Sequence, residues 1–428
     1  MKQTLLLFLS LTFLNSMAQT GQSYESFFTG DTEDIQVEPD FGIMLAGGAG
    51  DNDDAMTWFL ERANGGDVVV LRASGSDGYN DYFFSGLGVT INSVETILFN
   101  DGSASSDTYV LDQLANAEAI WIAGGDQWDY VSYWKESPVE EALNHHINVK
   151  GGVIGGTSAG MAILGGSYFN AMNGTVYSDE SLEDPYNNWL HMGHGDFVDA
   201  PFLSNVVTDT HYDDPDRRGR HVAFMARMYQ DEGVYPLGIA CDEYSATCID
   251  ENGIAWCFGE YPEYDDFIYF IRPNCEDEYY PETCSEGTPL DWNRSGSALK
   301  VYRVAATTDG AKYFDLNTWM EGSGGEWQTW HVDNGTLNFE EDGVAPDCAV
   351  ATSVEEVEVT YEMYPQPADD QFFIQTLESG LVRLFDSNGR EVLQQRVFAG
   401  TTTLDVGDLS AGVYVLQFGL SSKKLVVR

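Results

Sequence analysis

Short apolar runs alternate with helical spacing through the first half of the chain. Gly42-Ile43-Met44-Leu45-Ala46 closes on Gly47-Gly48 and predicts a first buried strand. Met56, Phe59, Leu60 and Ala63 then fall at i, i+3, i+4 and i+7, the spacing of one helix face. Val68-Val69-Val70-Leu71, Ile97-Leu98-Phe99 and Ala119-Ile120-Trp121-Ile122-Ala123 predict further strands, the last ending at Gly124-Gly125. Ser137 is a cap and Pro138 the first turn of another helix. Strands apolar on both faces and separated by amphipathic helices build an α/β fold, a mainly parallel sheet flanked by helices. Ligands of such sheets bind beyond the carboxyl ends of the strands. Gly47-Gly48, Ser74-Gly75, Gly124-Gly125 and the turn at Ser158 all lie there, so four loops point at one rim.

The second half is less regular. Val206-Val207-Thr208-Asp209 predicts a strand leading to His211, followed by a helix with Val222, Met225, Ala226 and Tyr229 on one face. Residues 238–241 read as a strand, and Asn252-Gly253 between two apolar runs is a hairpin signal. Residues 261–293 turn acidic, aromatic and cysteine-bearing, the composition of an inserted loop. Residues 298–306 read as a strand, and residues 307–345 give no assignment. Near the end, Val382-Arg383-Leu384-Phe385 and Val413-Tyr414-Val415-Leu416 alternate with period two, with turns at Asn388-Gly389 and Ala411-Gly412. A small all-β sandwich is expected over 364–428, behind a linker at 349–363 and a large domain at 39–348.

The amino terminus changes the compartment. Lys2, an apolar run over 5–13 and Ser16-Met17-Ala18 form a secretory signal peptide over 1–18, with cleavage expected after Ala18. Residues 19–38 read as a loose polar leader. That apolar run is too short to span a bilayer as a helix, and no later stretch is long enough.

Charge narrows the partners. The 428 residues carry 20 Lys+Arg against 69 Asp+Glu, a net charge of -49. Such a surface repels nucleic acid and anionic lipid, attracts cationic substrates and suits an exported protein. The six cysteines all fall at or after Cys241 and include no C-x-x-C pair, so disulfides among second-half loops are expected rather than zinc. His191 and His194 have H-x-x-H spacing but lack a third ligand, and no metal is expected.

Gly156-Thr157-Ser158-Ala159-Gly160 fits a nucleophile elbow, in which a serine on a tight strand-to-helix turn is flanked by small residues. The Ala159 amide then opens a helix and is free to bind an oxyanion. Gly125 could supply a second amide from the neighbouring strand end. His211, at a strand end, is the expected base. An order of Ser, acid, His selects Asp179 or Glu180 as the acid, and the residues do not choose between them. Arg217, Arg218 and Arg220 are misplaced cations at a helix start, suited to holding a carboxylate or to pairing with nearby aspartates.

Together, Gly47-Gly48-Ala49, Gly124-Gly125-Asp126-Gln127, Gly155-Gly156-Thr157-Ser158-Ala159-Gly160, Asp209-x-His211 and Gly219-Arg220 resemble cyanophycinases, serine peptidases grouped with dipeptidase E. The resemblance covers roughly residues 40–260. It implies a flavodoxin-like sheet related to class I glutamine amidotransferases, a Ser–His–acid triad, no cofactor, and in many members a homodimer. It implies Ser158 as nucleophile, His211 as base, Gly125 and Ala159 as oxyanion amides, and Gln127, Asp209, Arg217 and Arg220 as substrate contacts. The implied substrate is cyanophycin, a polyaspartate with arginine on each β-carboxyl, cleaved to β-Asp-Arg. Two positions depart from the pattern. Pro215 stands where cyanobacterial members have an arginine, and Val176 stands near the position of the acid, which moves the acid to Asp179 or Glu180. The first departure leaves other acidic or isoaspartyl peptides, or a surface binding protein without activity, as alternatives.

Tyr364-Pro365-x-Pro367, Leu409-x-Ala411-Gly412-x-Tyr414 and the basic end at Arg428 resemble the C-terminal sorting domain of the type IX secretion system of Bacteroidetes. That resemblance implies contact with the secretion machinery and a secreted or cell-surface location.

Overall fold

The computed structural model describes residues 22–275, 278–348, 361–368, 371–376, 380–385, 391–397, 400–407, 409–418 and 421–428. The signal peptide, nearly all of the linker and the Asn388-Gly389 turn lie outside the described residues. The chain divides into two compact units, Met1–Asp347 and Cys348–Arg428.

The first unit opens with β1 (Tyr24–Gly30), β2 (Gly42–Ala46), β3 (Asp67–Arg72), β4 (Ser93–Phe99), β5 (Ala119–Ile122) and β6 (Val153–Thr157). Later come β7 (Ser167–Phe169), β8 (Met192–His194), β9 (Val206–Asp209), β10 (Leu237–Cys241), β11 (Ala246–Ile249) and β12 (Ile254–Phe258). It closes with β13 (Phe267–Pro273), β14 (Leu299–Ala305), β15 (Lys312–Asp315), β16 (Gly322–Ser323), β17 (Gly325–Asp333) and β18 (Thr336–Gly343). The helices are α1 (Asp53–Glu61), α2 (Gly78–Asp81), α3 (Thr108–Asn116), α4 (Gln127–Trp134), α5 (Pro138–His145), α6 (Ala159–Ala162), α7 (Ser178–Glu183) and α8 (Arg218–Glu232).

One sheet has the order β1-β4-β3-β5-β6-β2-β11-β12-β15-β16. Its centre, from β4 to β2, is parallel. Both faces of this centre are buried, which is why its strands read as unbroken apolar runs. Ile43, Leu45, Val69, Leu71, Ile120 and Ile154 face α3 and α5, while Met44, Val68, Val70 and Trp121 face Met56, Phe59 and Leu60 of α1. The second sheet, β18-β17-β14-β13-β10-β9-β7-β8, is mostly antiparallel but keeps β10, β9 and β7 parallel. Val222, Met225 and Ala226 of α8 pack on Val207, Ala240 and Ile271 of this sheet.

Three expectations change. Residues 24–30 are not part of a loose leader but an edge strand paired antiparallel with β4. An edge strand is half exposed, so its composition reads as polar. The stretch 261–293 is not wholly an inserted loop, because β13 pairs with both β10 and β14. Disulfides are fewer than expected. Cys275 and Cys348 are disulfide-bonded, whereas Cys241, Cys248, Cys257 and Cys284 are free and buried. Three of these four lie inside strands, where a thiol packs as a small apolar group. Among the described residues, no helix is long and apolar enough to cross a membrane.

The second unit forms a small all-β body. A three-stranded sheet runs β19 (Tyr361–Tyr364), β20 (Gln371–Thr376), β23 (Gly400–Asp405), and a four-stranded one runs β22 (Glu391–Val397), β21 (Gly380–Phe385), β24 (Gly412–Phe418), β25 (Ser421–Val427). Phe372, Ile374, Leu384, Leu404, Leu416 and Leu425 share its core.

Candidate active site

Ser158 sits between β6 and α6 with φ 53° and ψ -114°. A non-glycine residue rarely adopts this conformation, which costs roughly 1–3 kcal/mol and clusters at functional sites. Neighbouring contacts hold the turn. The Ser158 amide donates to the Ala46 carbonyl at 3.0 Å, and the Ala162 amide donates to the Ser158 carbonyl at 2.9 Å. The flanking glycines are steric necessities. A Cβ on Gly156 would lie 2.5 Å from the Gly160 carbonyl carbon, and one on Gly160 would lie 2.1 Å from the Ile122 oxygen.

His211 arrives from the end of β9, also at positive φ (47°). Its amide donates to the Gly47 carbonyl at 2.8 Å. Its Nε2 lies 2.9 Å from Ser158 Oγ, and its Nδ1 lies 2.5 Å from Glu243 Oε1. Glu243 is fixed in turn by its backbone amide, which donates to Asp213 Oδ1 at 3.0 Å. The next carboxyl, Asp242, is pushed up to about 8, first by burial and then by the charge of Asp213.

The acid was expected at Asp179 or Glu180, and neither meets His211. Both are exposed on α7, where the Glu180 carboxylate accepts from the Tyr177 amide at 3.1 Å. The group on Nδ1 is Glu243, which follows β10. The same rule that located Ser158 and His211, a polar residue just beyond a strand's carboxyl end, could have found it in Cys241-Asp242-Glu243.

Among the described residues, the Gly125 and Ala159 amides donate to no protein acceptor. A Cβ on Gly124 would stand 3.5 Å from Ser158 Cβ, so the Gly124–Gly125 turn borders the hydroxyl. Gln127 is half-buried, and its Nε2 donates weakly to the Phe169 carbonyl at 3.4 Å.

Asp209 and Arg220 are not turned toward a ligand. Arg220 Nε and Nη2 donate to the two Asp209 oxygens at 2.9 and 2.5 Å, and Arg220 and Asp209 are 4% and 2% exposed. The two side chains are spent on each other and on neighbouring groups, which corrects their expected role as substrate contacts. Burial raises the Asp209 carboxyl, but the Arg220 charge and hydrogen bond outweigh it and hold Asp209 below the ordinary carboxylate range. Val176, the position nearest the expected acid, offers its carbonyl to Arg220 Nη1 at 3.3 Å. Arg217 differs. Its Nη1 donates to the Thr210 carbonyl at 3.0 Å, while its Nε is buried without an acceptor. Burial, then the charge of Arg220, lowers its pKa below the usual arginine value. His191 and His194 are held by Asn170 and Ser167.

Residues 76–251 match peptidase family S51, and residues 362–428 match the secretion system C-terminal sorting domain. Cyanophycinase of Synechococcus elongatus is 26% identical over 224 residues, covering 49% of this chain and 63% of that protein. Cyanophycinase of Trichormus variabilis is 25% identical over 162 residues, covering 37% and 48%. The chain therefore spans less than two thirds of these relatives. A solved peptidase from an acI-B1 Actinobacterium aligns with a TM-score of 0.39 and 13% identity, over 53% of this chain and 90% of that one. A peptidase E protein from Listeria monocytogenes EGD-e aligns with 0.33 and 15%, over 52% and 99%. The sorting domain indicates secretion through a type IX system to the cell surface or extracellular space.

The geometry around His211 makes one steric prediction. Gly48, at φ 108°, leaves room for the imidazole, and a Cβ there would lie 2.5 Å from His211 Nε2. Gly48→Ala is expected to displace the ring and lower kcat by about 100-fold, the cost of a misplacement near 1 Å. Steady-state kinetics and a circular dichroism spectrum check that the loss is catalytic.

Proposed function

We propose that this protein is an exported serine hydrolase of the cyanophycinase type, with Ser158, His211 and Glu243 as its triad. The carrying observation is the chain of contacts from Ser158 Oγ through His211 to Glu243, at 2.9 and 2.5 Å. Glu243 accepts a hydrogen bond from Nδ1–H and so keeps the proton on Nδ1, which leaves Nε2 unprotonated to take the proton of Ser158. The freed oxygen attacks an amide carbonyl. The amides of Gly125 and Ala159 stabilise the oxyanion, and His211 returns its proton to the leaving amine. Water, activated by the same imidazole, then hydrolyses the acyl-enzyme.

The substrate class is proposed from charge. A net charge of -49 favours a guanidinium-rich polymer such as cyanophycin. A cavity of about 330 Å³ lined by Asp51, Asp53, Arg72, Tyr79 and Tyr82 supports this reading. It adjoins the loop whose Gly48 borders His211, and carboxylates beside aromatic rings suit a guanidinium. Half-buried Arg217, with Gln127, is the candidate contact for a substrate carboxylate. Pro215 favours a second reading, a peptidase of the same kind acting on other acidic or isoaspartyl peptides. The C-terminal unit is proposed to engage the type IX machinery.

Purified protein incubated with cyanophycin is expected to release β-Asp-Arg, and Ser158→Ala is expected to release none. A fluorophosphonate is expected to label the wild type at Ser158. Labelling without β-Asp-Arg would select the second reading, and no labelling would remove the hydrolase assignment.

A further inference from the structure

The Gly124–Gly125 peptide carries the proposed oxyanion amide, and neither residue has a side chain to bias its orientation. A peptide between two glycines can rotate at little steric cost. Something else must fix which way its N–H points. Among the described residues, one side-chain hydroxyl reaches this peptide. Tyr130 of α4 is fully buried, and its hydroxyl donates to the Ala123 carbonyl at 2.8 Å with a second approach to the Gly124 carbonyl at 3.2 Å. The Tyr130 ring also packs on Trp134 in the core, with centroids 4.6 Å apart and planes 11° from parallel.

The Gly124 carbonyl and the Gly125 N–H belong to the same peptide plane. In a trans peptide they point in opposite directions. Holding the carbonyl toward the core therefore holds the N–H on the other side. Gly124 is where this turn meets Ser158, with its Cβ direction 3.5 Å from Ser158 Cβ. We infer that Tyr130 is a positioning residue whose buried hydroxyl keeps the Gly125 amide turned into the oxyanion hole. The inference rests on the serine-hydrolase reading and adds to it the device that presets the hole.

The test compares wild type, Tyr130→Phe and Trp134→Phe. Fluorophosphonate labelling of Ser158 is timed, since the phosphonyl adduct places an oxygen in the hole. Cyanophycin turnover is measured in parallel, and unfolding midpoints are recorded for all three proteins. Phenylalanine keeps the ring on Trp134, so Tyr130→Phe retains the core contact. It is expected to slow labelling and kcat by about 10- to 100-fold, below the ~10²–10³ of losing a hole donor outright, with KM within about 2-fold. Trp134→Phe, which keeps the hydroxyl, is expected to lower the unfolding midpoint while labelling stays within about 3-fold of wild type. Wild-type labelling by Tyr130→Phe would overturn the inference alone. So would equal losses of rate in both variants, which would make Tyr130 a packing residue. An unlabelled wild type would end the hydrolase reading and this inference with it.

Discussion

Glu243→Gln is expected to lower kcat by about 10³- to 10⁴-fold while changing KM by no more than about 3-fold. The reason is the tautomer. Glutamate only accepts, so it draws the imidazole proton to Nδ1 and leaves Nε2 free, 2.9 Å from Ser158 Oγ. A glutamine amide can donate to Nδ1 and stabilise the opposite tautomer, whose Nε2 already carries a proton. Ser158 then faces a donor and has no base. The fold should survive, because the Glu243 side chain is 24% exposed and its backbone amide still reaches Asp213. Asp179→Ala and Glu180→Ala serve as controls, and each should keep kcat within about 2-fold because both are exposed on α7. A Glu243→Gln enzyme within about 10-fold of wild type, or a collapse of activity in Glu180→Ala, would remove Glu243 from the triad. The measurement is kcat and KM on cyanophycin, with thermal unfolding to confirm that the variants are folded.

Asp209→Ala is expected to destabilise the first unit by about 3–5 kcal/mol, the cost of leaving one partner of a buried ion pair uncompensated. Arg220, now 4% exposed, would keep only uncharged partners, Thr175, Val176 and the Phe169 and Phe224 rings. Asp209 also accepts from the Thr210 amide at 2.8 Å, directly before His211, so the base loop should loosen too. The double variant Asp209→Leu/Arg220→Met removes both charges and should be more stable than Asp209→Ala. Urea unfolding followed by tryptophan fluorescence compares the three proteins, and a double variant as unstable as the single one would contradict the argument. The pair also predicts acid sensitivity. Asp209 has a folded-state pKa below its unfolded value, so its contribution is present above the ordinary carboxylate pKa. It is lost as pH falls through the depressed folded value.

These two predictions separate what could be read along the chain from what could not. Ser158 was legible because its requirements are local, a strand, a strained turn and small neighbours within five consecutive residues. His211 was legible as a histidine beyond a predicted strand, Val206-Val207-Thr208-Asp209. Glu243 was not, although residues 238–241 read as a strand. The order Ser, acid, His directed attention to residues between 158 and 211, away from the carboxylates that follow that strand among the 69 Asp+Glu. Asp209 and Arg220 were expected to face a ligand and instead face each other, since a motif records spacing and not which way a side chain turns.

The sequence by itself determined the parallel centre of the sheet, the serine turn, the hairpin at Asn252-Gly253 and the all-β second unit. Each rests on hydrophobic period or turn chemistry, which act between residues close along the chain. The tertiary structure alone decided that residues 24–30 complete a sheet edge, that β13 joins a second sheet, and which carboxylate reaches His211. Those outcomes depend on contacts across tens of residues, 32 in the case of His211 and Glu243, and no local pattern encodes a meeting at that separation.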